Sequence, residues 1–189
     1  EAPDNRGIGA RLEELAKAQG RLGAMVDVIA ELAAETNDPL LGKQLWVKAA
    51  QLRDLELGDV DGAVGAYTQA LELDEGDMEI IAALESLYRR TERWKDLLKV
   101  LRRKVAQLDH PREQENVLAH MAAIHDEMLQ QPEQSIRLYN EVLEMDPASV
   151  TALSALDALF ERQHMWDEPA ENIGRQLSMA EDEHSRIRL

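Results

Sequence analysis

Apolar residues recur at spacings of three and four along most of the chain, which is the pattern of amphipathic α-helices. In the middle of the sequence this pattern predicts four helices, over residues 43–57, 60–73, 77–91 and 93–108. Turn-forming residues such as Gly58-Asp59 separate them, and Asp77 is expected to cap the helix that follows it. Such short connections make neighbouring helices antiparallel, so the sequence predicts two helical hairpins here.

The sequence matches itself when it is shifted by 72 positions. This shift needs no gap, and it aligns Leu12 with Leu84, Tyr67 with Tyr139, Arg90 with Arg162, and Trp94 with Trp166. One hairpin cannot bury its apolar face alone, and stacked neighbours supply the missing contacts. We therefore expect an all-α solenoid that spans residues 1–189 as a single domain with about 2.5 copies of the unit: a partial copy at 1–44, then copies at 45–116 and 117–189.

Composition and charge exclude several classes of protein. The 189 residues include 37 Asp and Glu against 21 Lys and Arg, and the net charge of −16 disfavours general binding to nucleic acid. No Cys is present, which removes disulfides, thiolate metal ligands and cysteine nucleophiles. No apolar run is long enough to span a membrane. The cytoplasm is the expected location, and the periplasm stays open.

Aromatic residues and histidines offer little to a ligand site. All seven aromatics occupy repeat positions and are expected in the core, namely Trp46, Tyr67, Tyr88, Trp94, Tyr139, Phe160 and Trp166. The five His residues lack metal-ligand spacing, since His120 and His125 do not share a helix face. No nucleophile elbow, phosphate-binding loop or dinucleotide fingerprint occurs. We therefore expect a protein that is not an enzyme and holds neither a metal nor a cofactor.

The hairpins resemble the tetratricopeptide repeat (TPR) family. The matching residues are Trp46, Ala49 and Ala50 on a first helix, and Ala63, Tyr67 and Ala70 on a second helix. A later copy repeats the second-helix pattern with Ser135, Tyr139 and Val142 and closes with Asp146-Pro147. The unit of two unequal hairpins is similar to that of long, degenerate bacterial TPR arrays. The resemblance implies that the solenoid is a right-handed superhelix.

TPR arrays generally bind a peptide or a partner protein on the concave surface that their first helices form. The resemblance implies that this groove is lined by Gln44, Val47, Gln51, Asp54, Glu79, Ala82, Ser86, Arg89, Asn116, Ala119, Ala123 and Asp126. Ala and Ser at these positions would leave space for the side chains of a partner. The repeated Lys, Arg and Asn residues of chaperone-binding TPRs are not present at them.

A basic stripe follows an acidic stretch in the middle of the chain. Residues 54–85 include ten acidic residues and no Lys or Arg, whereas residues 89–104 include eight basic residues and two acidic ones. One interpretation is structural: arginines complement the dipole of a helix end, and lysines one turn apart lie on a solvated face. The alternative is that the arginines hold an acidic partner through forked contacts. The candidate contacts on the stripe are Arg89, Arg90, Arg93, Lys95 and Lys99.

Three functions are compatible with these patterns. The leading hypothesis is a non-catalytic scaffold that binds a protein or peptide through the groove, the basic stripe or both, and the resemblance suggests bacterial motility, secretion or polarity control. The alternative is a module that self-associates by stacking its ends. The sequence Ile187-Arg188-Leu189 has no polar cap, so we also expect a fragment of a longer array. The third hypothesis, a hydrolase with paired carboxylates, has no motif behind it.

Overall fold

Helices make up the structure. The computed structural model describes residues 5–163, and within them it contains nine α-helices and no β-strand. In chain order they are α1 (Asn5–Ala18), α2 (Leu22–Glu35), α3 (Pro39–Leu52), α4 (Val60–Leu73), α5 (Met78–Arg90), α6 (Trp94–Gln107), α7 (Pro111–Ala123), α8 (Pro132–Met145) and α9 (Val150–Gln163). A π-helical turn extends α3 over Arg53–Leu57, and another extends α7 over Ile124–Met128. The all-α prediction is confirmed, and the four predicted helices correspond to α3 with its π turn, α4, α5 and α6.

The chain divides into two compact units, unit 1 (Glu1–Arg93) and unit 2 (Trp94–Leu189). In the described part of unit 1, α2 packs on α1 and α3, and α4 packs on α3 and α5. In that of unit 2, α7 packs on α6 and α8, and α8 packs on α9. Successive helices within each unit thus pair as hairpins, as the short connections predict. The single continuous domain over residues 1–189 and the right-handed superhelix stay predictions.

Small residues bring α3 and α4 close together in unit 1. Ala49 and Ala50 of α3 are fully buried, as are Ala63 and Ala70 of α4. Because alanine adds only a methyl group, the two helices can pack at a short distance along this face. Larger apolar side chains on α4 and α5 complete the core: Leu71, Ile81, Leu84 and Leu87.

Leucine and valine form most of the core of unit 2. The fully buried side chains include Leu97, Leu101, Leu118, Val142 and Leu156. Ser135 of α8 is also fully buried, and its hydroxyl has no hydrogen-bond partner. The residue 72 positions earlier is the buried Ala63, so both copies place a small side chain here.

Aspartates begin three helices of unit 1 by accepting hydrogen bonds from backbone amides. Asp77 accepts from the N–H groups of Glu79 and Ile80 at 3.0 and 3.2 Å, so the predicted cap of α5 is confirmed. Asp38 caps α3 and Asp59 caps α4 in the same way. These caps explain why the helices begin where they do.

The backbone repeats with the same period as the sequence. Positive φ angles occur at Gly20 (65°) and Gly58 (64°), and again at the equivalent positions of the next copy, Glu92 (56°) and Gln130 (55°). Glycine adopts this left-handed conformation at little cost, whereas a residue with a Cβ does so under strain. The later turns therefore keep the geometry of the earlier ones although they have lost the glycine.

The prediction that all aromatics are buried in the core is confirmed for four residues and wrong for two. The four are at most 8% exposed: Tyr67, Tyr88, Tyr139 and Phe160. Trp46 and Trp94 are only half-buried, because an indole ring is large enough to reach from the core to the surface. Trp166 and the uncapped segment Ile187-Arg188-Leu189 lie outside the described residues.

Candidate partner-binding surfaces

The residues predicted to line a groove lie on α3, α5, α7 and the two π turns. In unit 1 these residues are Gln44, Val47, Gln51, Asp54, Glu79, Ala82, Ser86 and Arg89. In unit 2 they are Asn116, Ala119, Ala123 and Asp126. All twelve are exposed or half-buried, so their side chains can contact another molecule. Binding of a partner by these residues stays a prediction.

Several of these predicted residues meet in an open depression on α5. Ala82, Ser86, Arg89 and Arg90 line it together with Glu85, and its volume is about 400 Å³. Ala82 and Ser86 are separated by one helical turn and are both exposed, so they lie on the same face of α5. Their small side chains leave the space open, and the arginines give its edge a positive charge.

Two arginines of the basic stripe form ion pairs within unit 1. Arg89 pairs with Glu85 of the same helix at 2.7 Å. Arg93 pairs with Asp61 at 2.7 Å, and its guanidinium carbon lies 5.7 Å from the centroid of the Tyr88 ring. Exposed pairs of this kind contribute at most about 1 kcal/mol each. These contacts agree with the structural interpretation of the stripe.

Arg90, the third arginine, forms an ion pair that recurs in the next copy. Its partner is Asp54, and at the equivalent positions of that copy Arg162 pairs with Asp126 at 2.5 Å. The carboxylates are 17% and 18% exposed and the guanidiniums 55% and 56%. Both pairs join a π turn to a later helix, α5 or α9. Sequence reasoning missed this framework contact, although the same spacing of 36 residues between Asp and Arg occurs twice.

Each of these carboxylates also lies near a buried tyrosine. Burial raises the pKa of Tyr67, and the negative charge of Asp54 raises it further. Burial likewise raises the pKa of Tyr139, with added contributions from Asp126 and Glu127. A phenolate is disfavoured in both places, so both tyrosines stay neutral near neutral pH.

A lysine joins α3 to the connection between α4 and α5. Lys43 Nζ contacts the carboxylates of Asp74 and Asp77 at 2.8 and 2.9 Å, and these two hydrogen bonds raise the pKa of Lys43. Partial burial acts to raise the pKa of Asp77. The hydrogen bonds from Lys43 and from the amides of Ile80 and Glu79 outweigh it, so that the pKa of Asp77 is lowered. The cluster holds the first turn of α5 in place beside the predicted groove residue Glu79.

The lysines of the basic stripe lie in unit 2. Lys95 and Lys99 of α6 line a cleft of about 610 Å³, which α6, the end of α7 with its π turn, and α8 enclose. Arg102 of α6 and Arg137 of α8 add two more cations, and His125 of the π turn is part of the lining. Sequence reasoning did not select Arg137 or His125, because only the packing of α8 and the π turn brings them beside the stripe.

The described residues show neither a metal site nor a membrane-spanning helix. They contain no group of three or more His, Asp or Glu side chains arranged to hold a metal ion. Nor is any of their helices both long and apolar enough to cross a membrane. What they offer is ion pairs, hydrogen-bond donors and apolar surface at the α5 depression and the α6–α8 cleft.

Comparisons with known proteins identify the repeat. The tetratricopeptide repeat family profile matches residues 80–115. A crystal structure of MamA protein has a TM-score of 0.50 and 15% sequence identity to this chain, and the match covers 95% of this chain and 93% of that one. No curated protein matches the chain by sequence.

Two further solved structures are similar with lower scores. A tetratricopeptide repeat protein from Parabacteroides merdae ATCC 43184 matches 90% of this chain and 64% of its own, with 19% identity and a TM-score of 0.46. YrrB, described as a TPR protein with an unusual peptide-binding site, matches 69% of this chain and 65% of its own, with 15% identity and a TM-score of 0.43.

The family match and the fold point to the same conclusion. The profile covers most of α5, all of α6 and the start of α7, and the likeness to MamA protein covers nearly the whole chain. Tetratricopeptide repeat proteins generally act as scaffolds for protein–protein interaction. Residues 80–115 therefore match a tetratricopeptide repeat, and the chain has an all-α solenoid fold similar to that of MamA protein.

Proposed function

We propose that this protein is a non-catalytic scaffold that binds a peptide segment of a partner protein on the first helices of its hairpins. The observation that carries the proposal is the depression of about 400 Å³ on α5. Exposed Ala82 and Ser86 leave room there for the side chains of a partner, and charged residues at the edge would set its register. A role for the assembled complex in bacterial motility, secretion or polarity control, in the cytoplasm, is part of this proposal.

The arginines beside the depression still have hydrogen-bond donors for a partner. Arg89 and Arg90 each use one terminal nitrogen in their ion pairs, and their side chains are 52% and 55% exposed. A guanidinium has five N–H donors, so further donors remain for a carboxylate or a backbone carbonyl of the bound peptide. The internal ion pairs thereby orient the arginines without saturating them.

Selection from a random peptide library tests this proposal. The native chain is expected to select a defined peptide motif, and Ala82→Arg is expected to weaken binding of that peptide at least about tenfold by filling the depression. Ala18→Arg introduces the same side chain at an exposed position of α1 and serves as the control. Circular dichroism checks that both variants keep their helices. Unchanged affinity of the folded Ala82→Arg variant would place the peptide elsewhere.

A second function, self-association by stacking, is favoured by apolar residues on α1 and α2. Leu12, Leu15 and Val28 are 55%, 50% and 54% exposed. The residues 72 positions later are buried: Leu84, Leu87 and Val100. Repeat positions that are buried in the later hairpins are thus exposed on α1 and α2. A second copy of this chain would cover these apolar side chains.

Sedimentation velocity over a range of concentrations tests the stacking function. If the surface is an interface between copies, the native chain forms dimers at high concentration, and Leu12→Glu with Leu15→Glu abolishes them. The control is Leu55→Glu with Leu57→Glu, which charges two other exposed leucines. A native chain that stays monomeric throughout, or equal loss in both variants, would contradict stacking through α1 and α2.

A further inference from the structure

The α6–α8 cleft of unit 2 combines apolar and cationic residues. Its apolar residues are Leu98, Met121, Leu129 and Leu138, and its cations are Lys95, Lys99, Arg102 and Arg137. Met121 and Leu138 are only 4% and 6% exposed, whereas the cations are exposed or half-buried. The cleft therefore has an apolar floor below a cationic rim.

The positive charge of this rim is only partly compensated. Arg102 donates two hydrogen bonds to Glu141 of α8, at 2.7 and 3.1 Å, and Lys99 pairs with a carboxylate of its own helix. Lys95 and Arg137 form no ion pair with any other residue of the described range. In a chain with a net charge of −16, this is a local reversal of charge around a concave surface.

At the equivalent place in unit 1, the side chain of Arg53 crosses the space between the helices. Arg53 reaches from the π turn to Asp27 of α2 at 3.2 Å, to the carbonyl oxygen of Gly62 at 3.3 Å and to Asp59 at 3.9 Å. Its side chain is 20% exposed. A Cβ on Gly62 would clash with the carboxylate of Asp59 and would lie 2.9 Å from Arg53 Cδ, so the glycine permits both side chains to approach closely.

Unit 2 has different residues at the positions of Arg53 and its contacts. At the four equivalent positions it carries His125, Lys99, Gln134 and Gln131. His125 is shorter than arginine, and its Nδ1 lies 2.9 Å from Gln131 Oε1. Lys99 stands where α2 has Asp27. In unit 1, the carboxylate of Asp27 therefore pairs with Arg53, whereas in unit 2 the cations lie beside an open cleft.

We propose that the α6–α8 cleft binds an acidic peptide segment of a partner protein, whose carboxylates pair with Lys95 and Arg137. Apolar side chains between those carboxylates pack on the floor of the cleft. A nucleic acid backbone would match the cations but not the apolar floor, and none of the twelve lining residues is Phe, Tyr or Trp, the large aromatic side chains on which bases stack best. The cleft shares no lining residue with the α5 depression, so the failure of either proposal leaves the other intact.

Fluorescence anisotropy with three labelled probes tests the chemistry of the occupant. The probes are a peptide of alternating Glu and Leu, a peptide with Gln in place of each Glu, and oligouridine RNA. The native chain is expected to bind the Glu peptide at least about tenfold more tightly than the Gln peptide, and added salt is expected to weaken that binding. Tighter binding of the RNA or of the Gln peptide, or no binding of the Glu peptide, would overturn the proposal.

Two pairs of charge reversals locate the site. Lys95→Glu with Arg137→Glu is expected to weaken binding of the Glu peptide at least about tenfold. Arg103→Glu with Arg112→Glu makes the same change in net charge at exposed positions outside the lining, and is expected to have a smaller effect. Equal loss in both variants would show that net charge, and not the cleft, controls binding.

A third variant places the residues that fill this space in unit 1 at the equivalent positions of unit 2. Lys99→Asp, His125→Arg, Gln134→Gly and Gln131→Asp together restore Arg53 and the three residues that it contacts in unit 1. We expect this variant to fold, since the same arrangement is present in unit 1, and to lose binding of the Glu peptide. Full binding by the folded variant would overturn the proposal.

Discussion

Single positions carry different chemistry in successive copies of the repeat. Ala63 and Ser135 occupy the same buried position, yet only the serine brings a hydroxyl, which has no hydrogen-bond partner. Periodicity predicts that such a position is buried and small. Whether a polar atom there finds a partner depends on the helix packed against it, and a pattern of spacings does not contain that information.

Ser135→Ala is expected to raise the free energy of unfolding by about 1 kcal/mol, because it removes an unpaired hydroxyl from the interior. Urea unfolding followed by circular dichroism measures the change. The reciprocal substitution, Ala63→Ser, introduces a hydroxyl at the equivalent position and is expected to destabilise the protein. A Ser135→Ala variant that is less stable than the native chain would mean that the hydroxyl has a partner.

Asp77 is expected to make stability depend on acid pH. Its pKa in the folded protein is lowered from an ordinary value of 3.8, so its ionic contribution is fully present above about pH 4 and is lost as the pH falls through the folded value. Asp77→Asn keeps a capping side chain but removes the charge. The native chain should therefore be more stable than the variant at about pH 6, and the difference should vanish at strongly acid pH.

Urea midpoints of both proteins across this pH range measure the effect of Asp77. A difference that does not change with pH would mean that the amide is simply a poorer cap, and that the charge of Asp77 contributes nothing. Asp38→Asn is a useful control, because Asp38 caps α3 and no lysine of the described residues forms an ion pair with it.

At the scale of helices and turns, backbone geometry is repeated more faithfully than residue type. The turn before α2 and the turn before α6 both contain a left-handed residue, Gly20 in the first and Glu92 in the second. A sequence search for turn residues finds the glycine and misses the glutamate, because a glutamate rarely adopts this conformation. The backbone therefore has the same conformation in both turns although the residue differs.

Glu92→Gly is expected to stabilise the protein by up to about 1 kcal/mol, because the strain of a Cβ at positive φ outweighs the added flexibility of the unfolded chain. Thermal unfolding followed by circular dichroism measures the shift in Tm. Gly20→Glu reverses the exchange and is expected to lower the Tm. The opposite order of the two variants would contradict a strained turn at Glu92.

At the scale of the whole molecule, the helical hairpins fall into two compact units. The sequence predicts one continuous domain, because no linker-like stretch interrupts the repeat. In such an array each hairpin is stabilised by its neighbours, so local unfolding spreads along the chain. Unit 1 and unit 2 also differ in charge, since the acidic stretch lies in the first and most of the basic stripe in the second.

Single-tryptophan variants test whether the chain is one domain. Fluorescence of Trp46 reports on unit 1, and that of Trp94 reports on unit 2, once the other tryptophans are replaced by Phe. Coincident urea unfolding curves are expected for one cooperative array. Two separate transitions, in a chain whose native helicity is unchanged, would instead indicate two independent domains.

Sequence periodicity predicted the architecture well and the binding surfaces only in part. The helices at 60–73 and 77–91 agree closely with α4 and α5, and Asp77 caps α5 as expected. The predicted groove residues are accessible, but Arg90 and Asp54 are joined to each other in a framework contact. Arg137 was not predicted beside the basic stripe, because residues far apart in sequence become neighbours only when helices pack.

By itself, the sequence determined the helices, the cap of α5, the period of the repeat and most of the buried positions. These features follow from spacing along the chain, because a helix places residues three and four apart on one face. Only the tertiary structure decided which charges are paired and where surfaces are concave. Arg53 closes one space in unit 1, whereas the shorter His125 leaves its counterpart open, and that difference depends on the reach of side chains between packed helices.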